Sequence, residues 1–332
     1  MNELKILNHT RVSIDQDYRS HRPTGEVQTC PFGIRALDLA TGGIMKNDVV
    51  VMSARTGGGK TEFAVNVAMA NLRRGKRVLF FALEASSGEI ANRIAYQEFS
   101  HRYYMSAIKR DIPDAATMRY KDFVLGKLKK TLEPYEDDVA DKLSEFKDRF
   151  HVIYREKEFK IDDFEKCLLA YQDDVDLVIV DHLAYFDLDD AKNENAEFTR
   201  VVKGMRDMAL LSGKPILLLT HIRKKDRKDE SLVPDVDDLF GTSNVAKIAT
   251  KIIMIAPDYV NQQASHTEYG TYIHIAKDRT DGSLPRYLFR VVFDIKTNSY
   301  HEQFAIGKHK PMSSDFEPLI LGDYPKWIPK KS

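Results

Sequence analysis

The residues best suited to chemistry form a glycine-rich segment between a short apolar run, residues 49–52, and a helix-like pattern. Successive glycines let several backbone N–H groups point at one phosphate. The lysine that follows reaches the outer phosphates, and the next threonine hydroxyl can bind Mg²⁺. We therefore predict a strand, a phosphate loop and a helix that bind a nucleoside triphosphate, although Ala54 stands where the usual pattern begins with glycine. The predicted ligand-binding residues are Arg55, Thr56, Gly57, Gly58, Gly59, Lys60 and Thr61.

Three polar residues follow apolar, strand-like runs elsewhere in the chain. Asp181 follows residues 177–180 and suits an acid that holds Mg²⁺. Glu84 follows residues 78–83 and suits a group that orients an attacking water, and His221 follows residues 216–220, where it could sense the γ-phosphate. Taken singly, the acids could equally cap helices and the histidine could be an ordinary buried one. Parallel strands end at one edge of a sheet, so we expect all three to meet the phosphate loop there.

Composition limits the classes of protein that remain. Fifty Lys and Arg balance fifty Asp and Glu among 332 residues, so nucleic-acid binding would have to come from a local basic patch. Two distant cysteines, Cys30 and Cys167, argue against a disulfide framework or a zinc site. No signal peptide or membrane span is apparent, so we expect a cytoplasmic protein without a membrane partner.

Strand-like and helix-like runs alternate along the middle of the chain. Alternation of this kind predicts an α/β fold with a mostly parallel sheet and helices on both faces. Apolar runs at 271–276 and 287–293, separated by an Asp-Gly turn signal, predict a C-terminal β-hairpin. The other predicted strands are 49–52, 78–83, 177–180, 215–220 and 251–255. One predicted helix ends near 74, a second begins near 87, and a third spans about 196–211.

Three regions follow from these patterns. Residues 1–30 are mostly polar and are predicted to form an arm or linker, and residues 307–332 hold four of the twelve prolines and are predicted to be an irregular tail. Residues 31–306 form the predicted nucleotide-binding domain. Within it, residues 103–150 are predicted to be a helical insertion, with Leu125, Leu128 and Leu132 on one face of a helix.

Seven short motifs occur in an order that resembles the ATPase domain of DnaB-type hexameric replicative helicases, over about residues 25–300. The resemblance implies a RecA-like phosphate-loop core, ATP and Mg²⁺ as cofactors, and a ring of six copies that hydrolyses ATP at subunit interfaces and moves single-stranded DNA. The motifs are Thr41-Gly42-Gly43-Ile44, the phosphate loop, Phe81-Ala82-Leu83-Glu84, Val178-Ile179-Val180-Asp181-His182-Leu183, Leu219-Thr220-His221, Asp237-Asp238-Leu239-Phe240-Gly241-Thr242-Ser243 and Lys277-Asp278-Arg279.

The same resemblance implies individual roles. Lys60 and Thr61 bind phosphate and Mg²⁺, and Asp181 is the acid that holds the metal. Glu84 is the catalytic glutamate, and His221 takes the sensor position. Lys277 and Arg279 match a pair of cations that reaches across the interface to a neighbour's γ-phosphate, although from the residues alone a solvated turn is the simpler interpretation.

A basic segment directly follows His221 and is a candidate DNA contact, because cationic loops track phosphodiester backbones. Three acidic residues dilute its charge, which leaves a solvated loop as the alternative. The family segment that lines the DNA channel corresponds to residues 238–245, where Phe240 stands in place of a common arginine. The basic residues are Arg223, Lys224, Lys225, Arg227 and Lys228.

The front of the chain departs from the resemblance. Thirty residues cannot form the separate N-terminal domain of replicative helicases, so we expect a reduced, phage-like or mobile-element form without primase partnership. Two other functions stay open. One is a ring-forming ATPase switch resembling KaiC or RadA that does not unwind DNA, and the other is a small-molecule kinase, which would need an arginine-rich lid.

Overall fold

The computed structural model describes residues 14, 18–19, 22–25, 27–110, 117–222, 232–239, 243–258, 267–311 and 313–329. Nine strands are present in these ranges: β1 (Val49–Ala54), β2 (Val78–Ala82), β3 (Phe150–Tyr154), β4 (Leu177–Asp181), β5 (Ile216–His221), β6 (Lys251–Pro257), β7 (Glu268–Asp278), β8 (Tyr287–Asp294) and β9 (Ser299–Lys308). The α-helices are α1 (Arg35–Thr41), α2 (Lys60–Arg73), α3 (Glu89–Lys109), α4 (Tyr120–Val124), α5 (Lys129–Leu132), α6 (Glu136–Ser144), α7 (Ile161–Tyr171), α8 (Glu194–Ser212) and α9 (Ser243–Ile248).

All nine strands form one sheet in the order β3-β2-β4-β5-β1-β6-β7-β8-β9. The first six strands of that order are parallel to one another, and β7, β8 and β9 extend the sheet as an antiparallel meander. The prediction of an α/β fold with a mostly parallel sheet and a C-terminal hairpin is confirmed. Because β1, β2, β4 and β5 run the same way, the residues after them lie at one edge of the sheet.

Helices cover both faces of the parallel half. Strand residues of even and odd number point to opposite faces, and both sets are apolar, as a sheet buried on two sides requires. Val50 and Met52 of β1 pack with α2, whereas Val49 and Val51 pack with α7 and α8. The core residues of β1 are fully buried, so the strand end that carries the phosphate loop has a rigid support.

The insertion differs from its prediction. Leu125, Leu128 and Leu132 do not share one helix, because α4 ends at Val124 and Gly126 takes a positive φ of 70° before α5 begins. Only Leu132 of the three is buried, and it packs with Tyr96 and Met118 in a small core of its own. The leucines do have helical spacing in the sequence, but Gly126, in the left-handed region, interrupts the helix.

Two strands were not predicted. β3 lies at one edge of the sheet, immediately after the insertion, and β9 lies at the other. β9 runs two residues into the segment predicted to be an irregular tail. Part of that segment packs back on the sheet, where Trp327 contacts the rings of Tyr287 and Phe289.

None of the helices in the described residues is both long enough and apolar enough to cross a membrane.

Candidate nucleotide-binding site

The phosphate loop connects the end of β1 to the start of α2. Gly57 and Gly59 take positive φ values of 75° and 83°, which residues with a side chain rarely adopt. Gly58 is required for another reason, since a Cβ there would lie 2.8 Å from the Arg55 carbonyl oxygen. Gly59 directly precedes the first turn of α2. The backbone N–H groups at this helix start are therefore free to bind an anion, as the motif predicts.

Lys60 is 7% exposed and lies within the site. Its Nζ is 2.8 Å from Nδ1 of His221, at the end of β5. Burial lowers the pKa of Lys60, while the nearby Glu84 and Asp181 carboxylates oppose that shift. Burial and the Lys60 charge together lower the pKa of His221 to about 4. Near neutral pH the histidine is therefore neutral, and a charged Lys60 can only donate to it.

Thr61 and Asp181 face each other directly. The Thr61 hydroxyl donates to Oδ2 of Asp181 over 2.8 Å. Asp181 is 1% exposed, and its second oxygen, Oδ1, has no hydrogen-bond partner among the described residues. Burial raises the pKa of Asp181 to about 6, with a further increase from Glu84 and an opposing effect of the Thr61 hydrogen bond. A buried carboxylate with an unused oxygen beside a threonine hydroxyl fits a Mg²⁺ ion, which prefers oxygen ligands.

Glu84 lies just beyond β2 and is exposed. Its backbone N–H donates to the Asp181 carbonyl oxygen over 3.3 Å, which joins the ends of two neighbouring strands. Burial, followed by the charge of the Glu84 carboxylate, raises the pKa of Tyr185. The predicted catalytic acid is thus adjacent to the predicted metal-binding residue, Asp181, and accessible to water.

His182 is a residue of the site that the sequence analysis quoted but gave no role. It is completely buried, and its ring centroid is 4.0 Å from that of His221. One nitrogen of each histidine and one oxygen of Glu84 lie within 4.8 Å of one another, a spacing at which three such groups can hold a metal ion. Burial, followed by the effects of His221 and Lys60, lowers the pKa of His182 to about 2. The position directly after a strand-end aspartate was the available signal.

A cavity of about 340 Å³ opens beside the phosphate loop. Three aromatic side chains of the antiparallel meander, Tyr269, Phe293 and Tyr300, face it. Flat apolar rings next to a phosphate site can stack on a nucleobase. Tyr300 was missed because it lies on β9, which the sequence pattern did not reveal, and no motif pointed to Tyr269 or Phe293. The remaining lining residues are Gly57, Gly58, Gly59, Glu62, Pro257 and Thr271.

The first turn of α2 is joined to α3 by a half-buried ion pair. Arg93 bonds to Glu62 and, over 2.8 Å, to Glu89. The guanidinium also lies 4.9 Å from the ring centroid of Tyr120, so the insertion contributes to this contact. The pair fixes the helix that begins at Lys60, and no motif pointed to it.

Lys277 and Arg279 lie away from this site. The Lys277 ammonium donates to the carbonyl oxygens of Ala246 and Ala249 over 2.6 and 2.7 Å, and the Arg279 guanidinium donates to that of Lys247 over 2.9 Å. Lys277 belongs to β7 and not to a hairpin tip, which corrects that part of the prediction. It pairs with Ile252, near the start of β6, whereas the phosphate loop lies beyond the end of β1. The two cations therefore lie toward the amino-terminal ends of the parallel strands, away from the phosphate loop at their carboxyl ends.

The five predicted DNA-binding residues, Arg223, Lys224, Lys225, Arg227 and Lys228, lie outside the described residues, as do positions 240–242 of the predicted channel segment.

The fold and site together define a phosphate-loop nucleotide-binding domain. Its loop, the predicted metal-binding acid and the strand-end polar groups converge at the carboxyl ends of the strands in a mostly parallel sheet. The family model described as DnaB-like helicase C terminal domain matches residues 29–302. The chain therefore belongs to the DnaB-like helicase family, as the motif order predicted. The match does not favour the KaiC- or RadA-like alternative.

Named relatives agree with this assignment. The chain is 23% identical over 266 residues to a probable replicative DNA helicase of Trieres chinensis, covering 78% of this chain and 54% of the relative. It is 24% identical over 278 residues to replicative DNA helicase DnaB of Buchnera aphidicola subsp. Schizaphis graminum, covering 83% and 56%. This chain thus spans about half the length of these relatives.

Solved structures share the fold. One, titled as a DnaB-like replicative helicase and its interactions with primase, superposes with a TM-score of 0.68 at 16% identity and covers 86% of this chain and 66% of that one. A second, titled as an ATPase domain, superposes with a TM-score of 0.65 at 17% identity, covering 87% and 96%. The RecA-like core predicted from the sequence is confirmed.

Proposed function

We propose that this chain binds ATP with Mg²⁺ and hydrolyses it at interfaces between copies of itself in a ring, as the motor of a helicase that moves single-stranded DNA. The observation that carries the proposal is the convergence of Lys60, Thr61 and Asp181 with Glu84 and His221 at one edge of the sheet. These are the groups that phosphoryl transfer to water requires.

Each group has a chemical task. The loop N–H groups and Lys60 bind the β- and γ-phosphates, and the aromatic cavity takes the adenosine. Mg²⁺, held through Thr61 and Asp181, neutralises charge on the phosphates when bound. Glu84 accepts a proton from the attacking water. His221 is hydrogen-bonded to Lys60 in this structure, and it detects the γ-phosphate by losing that bond when Lys60 turns to the phosphate.

Hydrolysis also needs a cation from outside. Strand β6 advances three residues from Ile252 to Ile255, a distance of roughly 10 Å, between the level of Lys277 and that of the loop. Lys277 and Arg279 therefore serve a neighbouring copy and not their own nucleotide. Such a cation supplied in trans makes turnover depend on how adjacent copies are placed.

Three measurements test the proposal. ATPase rate is compared with and without single-stranded DNA, assembly mass is determined with a non-hydrolysable ATP analogue, and unwinding is followed on a forked duplex. We expect DNA-stimulated hydrolysis, a ring of about six copies and directional unwinding. A ring that hydrolyses ATP without unwinding would instead match a switch, and hydrolysis by a monomer would contradict the interface mechanism.

The DNA part of the proposal has its own test. Replacing Arg223, Lys224 and Lys225 by Ala should weaken single-strand binding for all sequences and flatten the log–log salt dependence by up to roughly 0.7 per lost contact. Hydrolysis without DNA should persist. The matched control replaces Lys121, Lys129 and Lys130, which are exposed in the insertion. If the two triple variants bind equally, the basic segment is not the DNA contact.

A further inference from the structure

His182 is held in one tautomer by its own turn. Its Nδ1 accepts the Ala184 backbone N–H over 3.1 Å, at the start of the short 3₁₀ turn Leu183–Tyr185. A ring nitrogen that accepts a hydrogen bond carries no proton, so the ring proton is on Nε2. His182 therefore presents a fixed N–H donor at Nε2.

That donor has no acceptor in the described part of the chain. Nε2 is buried without a hydrogen-bond partner, and His182 is 0% exposed. An unsatisfied buried donor is costly, and in a native site it calls for an explanation. The adjacent acceptor is the Glu84 carboxylate, one oxygen of which lies within 4.8 Å of a ring nitrogen of His182.

The alternative, a metal ion held by His182, His221 and Glu84, conflicts with both histidines. A charged Lys60 donates to Nδ1 of His221, and the Ala184 N–H donates to Nδ1 of His182. Each ring thus carries its proton on Nε2 and has no free lone pair for a cation. The Lys60 ammonium 2.8 Å from His221 would repel a second positive charge as well.

We propose that His182 is a positioning residue for ATP hydrolysis, whose Nε2–H donates to the Glu84 carboxylate and holds it toward the attacking water. The ring of Tyr185 meets that of His182 edge-on at 6.1 Å. Glu84 is exposed, so without such a donor its carboxylate samples many orientations. This inference rests on the proposed ATPase function, in which Glu84 is the proton acceptor.

Two substitutions separate the donor from the cap. Asn at position 182 can still accept the Ala184 N–H, but it lacks a group that reaches the Nε2 position. Gln reaches that position with its amide N–H₂ and gives up the cap. We expect H182N to lower kcat on the order of 10- to 100-fold with KM for ATP within about threefold of wild type, since misplacement of a reacting group has effects of this size. We expect H182Q to restore most of kcat.

Three outcomes would overturn the proposal: an unchanged kcat in H182N, a lower kcat in H182Q than in H182N, or a tenfold loss caused by H182N that persists in the Glu84→Gln background. In that background the proposal expects no further loss, because a residue that acts through Glu84 has nothing left to position. His151→Asn, at the edge strand β3, is the matched control, and melting temperatures of all variants report on folding. If the wild-type chain hydrolyses ATP and the variants at position 182 hydrolyse it at the same rate, only this inference is contradicted. If the wild-type chain has no ATPase activity, the proposed function is contradicted, and this inference with it.

Discussion

The phosphate-loop crevice and the segment that carries Lys277 and Arg279 hold their cations in contrasting ways. In the crevice, Lys60 bonds to a side chain, His221, and is close to two carboxylates. At the other ends of the strands, Lys277 and Arg279 donate to backbone carbonyl oxygens near the end of α9. In the proposed function, the first arrangement binds nucleotide and the second supplies cations to a neighbouring copy. On that proposal the two arrangements complement each other where two copies meet.

Removing the crevice cation tests the first half of this contrast and has the largest expected effect. Lys60→Ala should abolish ATP hydrolysis, because the loop N–H groups alone would hold the β- and γ-phosphates. Steady-state phosphate release measures it. Lys203→Ala, exposed on α8, is the control and should hydrolyse normally. Full activity in Lys60→Ala would rule out the phosphate-loop assignment.

Removing the Arg279 guanidinium tests the second half of this contrast. Arg279→Ala should lose about a thousandfold or more in rate, as expected when a guanidinium no longer stabilises charge on the γ-phosphate. Mixing it with Lys60→Ala subunits should restore hydrolysis, because some interfaces then combine an intact loop with an intact arginine. The exposed Arg286 provides a control substitution. If mixed oligomers form and stay inactive, Arg279 does not act in trans.

The division of labour inside the crevice is tested by Glu84→Gln. The variant should keep ATP affinity and lose roughly a hundredfold or more in hydrolysis, the scale of a lost proton acceptor. Equilibrium binding of a fluorescent ATP analogue and single-turnover hydrolysis separate the two quantities. Glu156→Gln is the exposed control. If Glu84→Gln and Glu156→Gln hydrolyse ATP at the same rate, Glu84 is not the proton acceptor and another acid must be.

The smallest expected effect concerns pH. The pKa of Asp181 is raised to about 6, above its ordinary 3.8, so protonation of this carboxyl favours the folded protein as pH falls from 6 toward 3.8. Mg²⁺ needs the ionised form, so the Mg²⁺-dependent part of ATP affinity should fall about tenfold per pH unit below 6. Binding titrations with and without chelator, repeated on Asp181→Asn, measure this part. An identical pH dependence in both proteins would assign it to the nucleotide alone.

The parallel half of the molecule was largely predictable from sequence, whereas the antiparallel half was not. Strands β1, β2, β4, β5 and β6 are mostly continuous apolar runs, and polar site residues lie at or shortly after the ends of β1, β2, β4 and β5. This pattern predicts both the fold and the position of the site. β9 mixes polar and apolar residues, because one of its faces is partly exposed, and it has no comparable signal. Tyr300 of the aromatic cavity lies on β9 and was missed with it.

Hydrogen-bond partners were also beyond the sequence. The residue types at positions 182 and 277 were visible, but the carbonyl oxygens that hold Lys277 come from a distant segment, and the local Ala184 bond that fixes the His182 tautomer has no sequence signal. The prediction of a single helix through Leu125, Leu128 and Leu132 was wrong for a local reason, because Gly126 interrupts the helix. The roles of the site residues stay predictions until the variants are measured.

The C-terminal segment also closes the free edge of the sheet. Pro318 bridges to Gly307 of β9, and the Leu319 N–H donates to the Ile306 carbonyl oxygen over 2.7 Å. A proline has no N–H to offer a further strand, so this covering cannot itself be extended. A further strand is thereby kept from pairing with this end of β9. Contacts that another copy made at this end of the strand would be made by side chains, which separate and re-form more readily than a backbone ladder.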